Sequence, residues 1–366
     1  MKLLITSVGS LVGQNILDSL ESRRNLINVI GTNSVIKNPR NFRCDTIYHV
    51  NKTDSCDFEK DFISVIEEEH PDLILPGRDE DSVFLSDIKS KYPEIFGNNI
   101  PFGSSFIPRI MLDKQKSFLF CKKNQLPFAD TFLYKNNNDI KELNVFIEKN
   151  GFPLVVKPRE GFGSQGVYFV INMENVNELI NDDDVLFQEY LGDPKDIFKY
   201  KNAFKKGIPL FFQVPEEKHY AAQTIIHPDG SFSEVFFTIN TMVFGRNEFI
   251  EQRIVKDVEK ITRQFVNVFY KNGWYGPLNI QMKRDRKGNF KVIELSSRHT
   301  GSTSGRALLG YDEIGILTDI FVPELKIPNL TRAKKLKGQI FKYLQDNLLL
   351  DYNTEILKSK KVWKKH

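Results

Sequence analysis

The sequence predicts an α/β protein in which a doubly wound parallel sheet precedes two α+β domains. Three observations support this fold class. Strand-like and helix-like segments alternate over residues 2–77, a glycine-rich loop at 161–166 joins two strand-like segments, and a hairpin over 276–304 is polar on one face. With 366 residues, 40% of them hydrophobic, the chain can bury a large core and divide into two or three domains.

Composition narrows the functional class. The three cysteines, Cys44, Cys56 and Cys121, have no metal-binding or redox spacing, so we expect a reducing compartment. The opening MKLLITSVGS has the pattern of a strand and a glycine turn rather than a signal sequence, and no apolar run reaches membrane-spanning length. The net charge of +4 is small and dispersed, which argues against nucleic-acid binding. We therefore expect a cytoplasmic protein.

The first domain is expected over 1–108, where strands alternate with helices. Its strands are predicted at 2–6, 28–34, 46–50 and 72–77. Ser7, Gly9, Ser10 and Gly13 lie where the first strand turns into a helix, a place where backbone amides can face an anion. Their G-x3-G spacing is not the dinucleotide-binding fingerprint, so an ordinary tight turn is the alternative.

The second domain, expected over 109–190, contains the stretch Gly161-Phe-Gly163-Ser-Gln-Gly166. It matches G-x-G-x-x-G, but the following VYFVI is β-branched and aromatic and predicts a strand, whereas a dinucleotide site requires a helix. A glycine loop between two strands can close over nucleotide phosphates through its amides, and Lys157 in the preceding strand can assist. A flexible surface turn beside an exposed lysine is the alternative.

The third domain, expected over 191–330, begins where a short apolar strand ends in a linker at 188–191. Such a transition can lie along an adenine, with backbone groups binding the base and a nearby acid binding the ribose hydroxyls. Residues 195–216 have no clean period, and we interpret them as an irregular insertion that faces the substrate. A helix over 254–273 then leads into the polar hairpin.

The hairpin over 276–304 carries the clearest chemistry. If Lys287 and Gly288 form a two-residue turn, two polar pairs face each other across its strands. These pairs are Gln281 with Glu294 and Asn279 with Ser296. Oxygen ligands of this kind suit Mg²⁺, and the following Arg298 suits a phosphate. The alternative is an ordinary antiparallel hairpin with one solvated face.

The end of the chain is predicted to be a helix over 305–322 followed by a basic segment over 331–366. The lysines of this segment can contact anionic surfaces, but a solvated tail with a helix is the default expectation.

Three features occur in this order: Lys157 before the glycine loop, Glu189 in the linker at 188–191, and the polar hairpin. Together they resemble the ATP-grasp superfamily, most nearly the carbamoyl-phosphate synthase large-subunit type. The resemblance extends from the N-terminal domain to about Leu325. Its most specific part is NIQ at 279–281 with VIELSSR at 292–298, which is similar to the family's NIQ and EMNPR segment. It implies the ATP-grasp fold, with ATP held between two α+β domains that follow an N-terminal pre-ATP-grasp domain.

The resemblance also implies roles for single residues. Gln281 and Glu294 would be metal ligands, with Glu294 bridging two Mg²⁺ ions, and Arg298 would hold the transferred phosphate or the acyl phosphate. The implied catalytic residues are Arg298, Lys157 and Glu294. The residues implied to bind the phosphates, adenine and ribose of ATP are Lys114, Lys157, Gly163, Ser164, Gln165, Gly166, Gln188, Glu189, Tyr190, Leu191 and Asp196.

The chain departs from the family pattern at one metal ligand. Ser296 stands where the family has asparagine, and Ser297 stands where it has proline. A hydroxyl coordinates less strongly than an amide oxygen, so Ser296 would be a weaker third ligand, and Asn279 or a water is a candidate to compensate. The doubled synthase halves and the glutaminase partner have no counterpart here, so carbamoyl phosphate is not the expected product.

The resemblance implies a ligase that uses ATP and Mg²⁺, or Mn²⁺, to join a small carboxylate and an amine, amino acids among them, through an acyl phosphate. One alternative is phosphorylation of bicarbonate or another small acid, as in biotin carboxylase. Another is a nucleotide-binding regulator without catalysis. A nicotinamide dehydrogenase is the weakest, because a strand is predicted after Gly166. A homodimer is the prior expectation for a soluble enzyme.

Position suggests where the co-substrates bind. His299 and Ser302 follow the hairpin directly, and Ser10 follows the first strand. Arg78 and Glu80 lie at the carboxyl end of a parallel strand, where ligands bind in doubly wound folds. For these last two residues, an exposed and charged start of a helix is the alternative.

Overall fold

The computed structural model describes residues 1–97, 99–161, 165–180, 184–198, 218–243, 246–332, 338–343 and 347–365. The strands, in chain order, are β1 (Lys2–Ile5), β2 (Asn28–Asn33), β3 (Thr46–His49), β4 (Leu73–Leu75), β5 (Thr131–Tyr134), β6 (Leu154–Pro158), β7 (Tyr168–Val170), β8 (Val185–Glu189), β9 (His219–Ile226), β10 (Phe236–Val243), β11 (Arg246–Arg253), β12 (Gly276–Arg284), β13 (Phe290–Ser296), β14 (Gln339–Phe341) and β15 (Val362–Lys364).

The α-helices are α1 (Leu11–Ser19), α2 (Phe58–Glu69), α3 (Asp79–Lys91), α4 (Pro93–Phe96), α5 (Phe106–Leu112), α6 (Lys114–Lys123), α7 (Ile140–Asn150), α8 (Met173–Leu179), α9 (Lys256–Lys271), α10 (Thr303–Leu308), α11 (Glu313–Phe321) and α12 (Asp351–Lys360). None of these helices is long and apolar enough to cross a membrane.

The first sheet has the strand order β15-β3-β2-β1-β4, and β1 to β4 run parallel. This confirms the predicted parallel sheet. Leu3, Leu4 and Ile5 of the central strand β1 are fully buried, as expected for a parallel strand that is covered on both faces. The chain leaves β1 towards β2 and reaches β4 on the other side, so the loops after β1 and β4 meet at the carboxyl edge of the sheet.

The second sheet has the order β5-β8-β6-β7 and is antiparallel throughout. Strand β7 follows the glycine loop and pairs with β6, which confirms the predicted strand and excludes the helix of a dinucleotide site. This sheet packs against α7 and α8 around a core of its own. Gly163 and Ser164 of the loop, and residues 199–216 of the expected insertion, lie outside the described residues.

The third sheet has the order β13-β12-β9-β10-β11-β14 and is also antiparallel. Alternate residues of β12, namely Leu278, Ile280 and Met282, are fully buried on the face that packs with α9. The other face of β12 carries the polar residues. Strand β11 was not predicted, because RNEFIEQR lacks the apolar alternation of a half-buried strand.

The turn of the β12–β13 hairpin differs from the prediction. The strands end at the pair Arg284 and Phe290, so the turn between them has five residues rather than two. Such a turn by itself would place Gln281 opposite Ile293. Ile293 instead forms a bulge, which adds one residue to β13 and restores the predicted pairing of Gln281 with Glu294.

The single helix predicted over 305–322 is wrong, because the structure has α10 and α11 in its place. Gly310 lies between them with φ of +96°, which an α-helix does not allow. Asp312 then caps α11 by accepting a 3.0 Å hydrogen bond from the amide of Gly315.

The solvated C-terminal tail is also a wrong prediction over much of its length. Strand β14 pairs with β11, and β15 pairs antiparallel with β3 of the first sheet. Trp363 of β15 is 7% exposed and packs edge-on against Phe42 at 5.1 Å. The end of the chain therefore returns to the first domain.

Candidate active site

The polar face of the β12–β13 hairpin forms one wall of the candidate site. Gln281 lies opposite Glu294 and Asn279 lies opposite Ser296, which confirms the predicted cross-strand pairing. Directly opposite residues of an antiparallel pair point to the same face, so all four polar side chains share the face that is turned away from the core.

Three of these side chains keep oxygen atoms available. Within the described parts of the chain, Gln281, Glu294 and Ser296 form no side-chain hydrogen bond or ion pair. Asn279 differs, because its Nδ2 donates a 2.9 Å hydrogen bond to Gln223 Oε1. A carboxylate, an amide oxygen and a hydroxyl fit a hard divalent cation whose remaining ligands come from a phosphate and water.

The same donor set does not fit a metal centre built from protein ligands alone. The described residues contain no group of three or more histidine, cysteine, aspartate and glutamate side chains that could hold a metal ion. A cation at Glu294 would therefore depend on an anionic substrate to complete its coordination.

Lys157 reaches the hairpin from the second sheet. It extends from β6, is 8% exposed, and its Nζ donates to Gln188 Oε1 at 2.9 Å and to the main-chain oxygen of Ile293 at 3.2 Å. Gln188 is held in turn by donating from Nε2 to Thr131 Oγ1 at 3.0 Å. The lysine thus lies beside the residue that precedes Glu294.

Burial lowers the pKa of Lys157 to about 8. The negative charge of Glu294 opposes this shift, whereas the positive charges of Lys114 and Lys283 add to it. Three lysines and one carboxylate are therefore close enough to influence each other electrostatically, although they come from three parts of the chain. The excess of positive charge favours a polyanionic ligand such as a triphosphate.

Lys114 begins α6 and reaches the start of the glycine loop. Its Nζ donates to the main-chain oxygens of Gly161 at 3.2 Å and Arg159 at 3.5 Å. Asp113 caps the helix and forms a 2.6 Å ion pair with Arg159, so the strand that enters the loop is fixed to α6. Of the later residues of the loop, the structure describes Gln165 and Gly166, and Gly166 has φ of +69°.

The segment at the end of β8, which was predicted to form a nucleotide hinge, is joined to the polar hairpin. The Glu189 carboxylate accepts hydrogen bonds from Lys291 Nζ at 2.5 Å and from the amide of Asp130 at 2.6 Å. Its side chain is therefore occupied in joining the second sheet to β13, and its amide donates a 2.9 Å hydrogen bond to the main-chain oxygen of Asp130. Tyr190 and Leu191 are buried, and Asp196 lies partly exposed in a helical turn at 194–198.

Arg298 follows β13 and crosses to the first domain. Its Nη1 donates to the main-chain oxygen of His299 at 2.8 Å, and its Nη2 donates to the carboxylate of Asp79 at the start of α3. The Nε of Arg298 is buried and has no hydrogen-bond partner among the described residues. The guanidinium is thus fixed at one end and keeps donor capacity at the other.

The other residues that were expected to bind the co-substrates differ in burial and in their hydrogen-bond partners. His299 is fully buried, and burial lowers its pKa to about 4, so its ring is neutral and shielded from solvent. Ser302 Oγ accepts a 2.6 Å hydrogen bond from Asn247. Arg78 and Glu80 form an exposed 2.9 Å ion pair with each other.

Sequence reasoning missed three charged residues near this site. Lys283 has the same strand parity as Gln281, so strand alternation could have identified it. No local pattern identifies the other two, which are Lys291 and Lys342. Asp79 lies between Arg78 and Glu80 in the loop that was expected to line the co-substrate pocket, but its contact with Arg298 was not predicted.

Known proteins resemble this chain in structure but not in sequence. No protein-family model matches the chain, and no curated protein matches it either. N5-carboxyaminoimidazole synthetase from Staphylococcus aureus, complexed with ADP, has a TM-score of 0.65 at 14% identity and covers 93% of this chain and 79% of its own.

Two further solved structures extend the comparison. The biotin carboxylase domain of Hydrogenobacter thermophilus 2-oxoglutarate carboxylase, in complex with MgADP, ADP and bicarbonate, has a TM-score of 0.61 at 15% identity, over 87% of this chain and 69% of its own. N5-carboxyaminoimidazole synthase from Aspergillus clavatus, with ADP and 5-aminoimidazole ribonucleotide, has a TM-score of 0.60 at 14% identity. The match covers 90% of this chain and 78% of its own. At such low identity these likenesses concern the fold, and the chain therefore has the ATP-grasp fold.

Proposed function

We propose that the protein is an ATP-dependent ligase that joins a carboxylate to an amine through an acyl phosphate and releases ADP and phosphate. One observation carries this proposal. Lys157 of the second sheet meets the main chain beside Glu294 of the third sheet, so a basic and an acidic group that suit a metal-bound triphosphate converge from separate domains.

The triphosphate would be bound mainly by positive charge and main-chain amides. Lys114 contacts the start of the glycine loop and Lys157 lies in the strand that precedes it, and both are largely buried. The amides of Gly163 to Gly166 would close over the phosphates, and the main chain of 189–191 would bind the adenine, with Asp196 on the ribose. Such a flap also excludes water, which would otherwise hydrolyse a reactive intermediate.

Magnesium, or manganese, would be held by Glu294 and Gln281, with Ser296 as a weaker third ligand, because their oxygen atoms are not engaged by other described residues. When bound, such an ion neutralises phosphate charge and withdraws electrons from the transferred phosphate. The single carboxylate makes this site weaker than one with two acidic ligands.

In the first step, a carboxylate oxygen of the substrate attacks the γ-phosphorus in line and ADP departs. The chain contributes positioning and charge compensation rather than a nucleophile, since phosphoryl transfer requires little covalent participation from the protein. Arg298 would hold the phosphate of the resulting acyl phosphate, because its guanidinium retains a donor that no described residue engages.

In the second step, the amine attacks the acyl carbon and phosphate departs. The amine would enter from the first domain, where Ser10 holds the loop after β4 through Gly77 and Asp79 at the start of α3 pairs with Arg298. His299 would help to position Arg298 through its main-chain oxygen, and Ser302 is held in place by its hydrogen bond from Asn247.

A second candidate is the phosphorylation of bicarbonate followed by carboxylation of an amine. It is favoured by one observation, the likeness to carboxylases whose structures contain ADP with bicarbonate or an aminoimidazole ribonucleotide. Both candidates use the same ATP site and differ only in the acid that is phosphorylated.

The test begins with thermal shifts in MgATP against panels of carboxylates and bicarbonate, followed by assays of ADP release. Hydroxylamine traps acyl phosphates as hydroxamates, which mass spectrometry identifies together with any amide product. We expect ADP release that depends on a carboxylate and a hydroxamate in equal amount. Bicarbonate-dependent ADP release without a hydroxamate would favour the second candidate. ATP binding without ADP release under any of these conditions would overturn both.

A further inference from the structure

Asp79 is the charged residue of the first domain that meets the candidate reaction centre. It opens α3 at the carboxyl end of β4, and its Oδ2 accepts a hydrogen bond from Arg298 Nη2. Its Oδ1 accepts no hydrogen bond from any other described residue. The Asp79 side chain is 27% exposed and that of Arg298 is 12% exposed, so a small ligand can reach the pair.

The position of Asp79 is fixed by the loop that precedes it. A Cβ on Gly77 would lie 2.3 Å from the main-chain oxygen of Thr6 and 2.7 Å from that of Ser7, so the loop packs directly on the end of β1. Ser10 Oγ donates a 2.8 Å hydrogen bond to the main-chain oxygen of Gly77. The carboxylate is therefore presented from a rigid support, as a binding group requires.

The neighbouring charged residues of the loop are engaged elsewhere. Arg78 and Glu80 pair with each other. Asp81 is fully buried and accepts hydrogen bonds from Thr6 Oγ1 at 2.7 Å and Thr53 Oγ1 at 2.9 Å. Of this charged run, Asp79 is the residue that contacts Arg298, whereas the sequence had suggested Arg78 and Glu80.

On the basis of the ligase activity proposed above, we propose that Asp79 binds the ammonium group of the amine substrate. The two substrates meet with opposite charges, because the acyl phosphate is an anion and an aliphatic amine is a cation at neutral pH. The guanidinium of Arg298 can bind the anionic acyl phosphate. The carboxylate of Asp79, which contacts Arg298 directly, can bind the cationic amine through its Oδ1. The acceptor class is therefore a primary amine that carries a positive charge when it binds.

Asp79 binds and orients the nitrogen but is not the base. Aliphatic amines are far stronger bases than carboxylates, so the ammonium loses one proton to solvent before attack. The nitrogen lone pair then forms the C–N bond, and the C–O bond to phosphate breaks with its electron pair on the phosphate oxygen. The second nitrogen proton leaves with the phosphate as HPO₄²⁻, which gives a neutral amide.

The test compares two nucleophiles on one acyl phosphate, with the carboxylate found in the screen above. Methylamine is cationic near neutral pH, whereas hydroxylamine is uncharged. In Asp79→Asn we expect the KM for methylamine to rise about tenfold or more, because a charge-assisted contact is lost. Hydroxamate formation from hydroxylamine should stay within about twofold of wild type, because a neutral nucleophile does not use this charge.

Asp87→Asn is the matched control, since Asp87 lies on the same helix and pairs with the exposed Arg109. In the wild type, added salt should raise the KM for methylamine but not for hydroxylamine, which tests the charge without any substitution. An equal loss with both nucleophiles would overturn ammonium binding in favour of a positioning role for Asp79 on Arg298. An unchanged KM for methylamine would also overturn it. A wild-type protein that forms no hydroxamate overturns the ligase activity itself, and ammonium binding with it.

Discussion

Lys157 Nζ donates a 3.2 Å hydrogen bond to the main-chain oxygen of Ile293, which joins a strand of the second sheet to the bulge of the polar hairpin. The bulge gives this bond its significance. Without the extra residue at 293, Gln281 would face an apolar side chain rather than Glu294. The same residue therefore sets the register of Gln281 and Glu294, the two proposed metal ligands, and holds the lysine beside them.

We expect kcat/KM for ATP to fall as the pH rises through about 8. Burial lowers the pKa of Lys157 to about 8, so its ammonium is charged below this pH and neutral above it. The kcat/KM profile reports groups of the free enzyme, and a neutral amine attracts the triphosphate less. Lys157→Met should lower kcat/KM by roughly a hundredfold or more and abolish this decline. A decline of the same size in the variant would assign it to another group.

Glu294→Gln should reduce ADP release by several orders of magnitude while the protein stays folded. The substitution keeps the shape of the side chain but removes the one carboxylate of the predicted metal site. Steady-state ADP release over a range of Mg²⁺ concentrations measures this, with circular dichroism to check folding. Glu259→Gln, on the exposed face of α9, is the control and should change nothing. Near-normal turnover in Glu294→Gln would remove this residue from the mechanism.

Arg23→Met should destabilise the folded protein by about 3–5 kcal/mol. Arg23 in the first domain and Asp312 before α11 form a fully buried ion pair with contacts of 2.7 and 2.8 Å, and removal of the cation leaves a buried charge unpaired. Urea denaturation measures the free energy of unfolding.

Two further variants give this measurement its controls. Adding Asp312→Asn to Arg23→Met should recover part of the loss, because it removes the unpaired charge and keeps the cap of α11. Arg109→Met, which breaks an exposed pair, should cost less than about 1 kcal/mol. Equal losses in Arg23→Met and Arg109→Met would show that burial of the first pair has no effect on its strength.

Lys342→Met should cost about 1–3 kcal/mol of stability, because the hydrogen bonds of a charged donor are lost. From beside β14, Lys342 Nζ donates to Asn15 Oδ1 of α1, to the main-chain oxygen of Gly301 in the loop after Arg298, and to Ser304 Oγ of α10. Lys287→Met, in the exposed hairpin turn, is the control. Thermal unfolding of both variants measures the difference. Equal melting temperatures would mean that Lys342 does not hold this loop to the first domain.

Local patterns in the sequence predicted much of the architecture. Apolar runs predicted β1 to β4, aromatic and β-branched residues predicted β7, and strand alternation predicted that Gln281 and Glu294 share one face. These predictions depend on the one-residue alternation of a strand and on intrinsic preferences, which act over a few residues. The pairing was correct although the predicted turn was wrong, since the bulge compensated for the longer turn.

Errors arose where a single residue or a distant strand decided the structure. Gly310 divides a helix that its apolar pattern would continue, because its φ of +96° is incompatible with an α-helix. The basic sequence of β15 predicted a solvated tail, but the segment forms a strand because it pairs with β3, which is distant in the sequence.

The sequence by itself determined the strands of the first parallel sheet, the polar face of the hairpin and the lysine before the glycine loop. Only the tertiary structure decided that Asp79 meets Arg298, that Lys291 engages Glu189 and that Lys342 reaches Asn15. The physical reason is distance along the chain. These contacts join residues about a hundred to three hundred positions apart, and their energy depends on how three sheets pack, which no local period or propensity encodes.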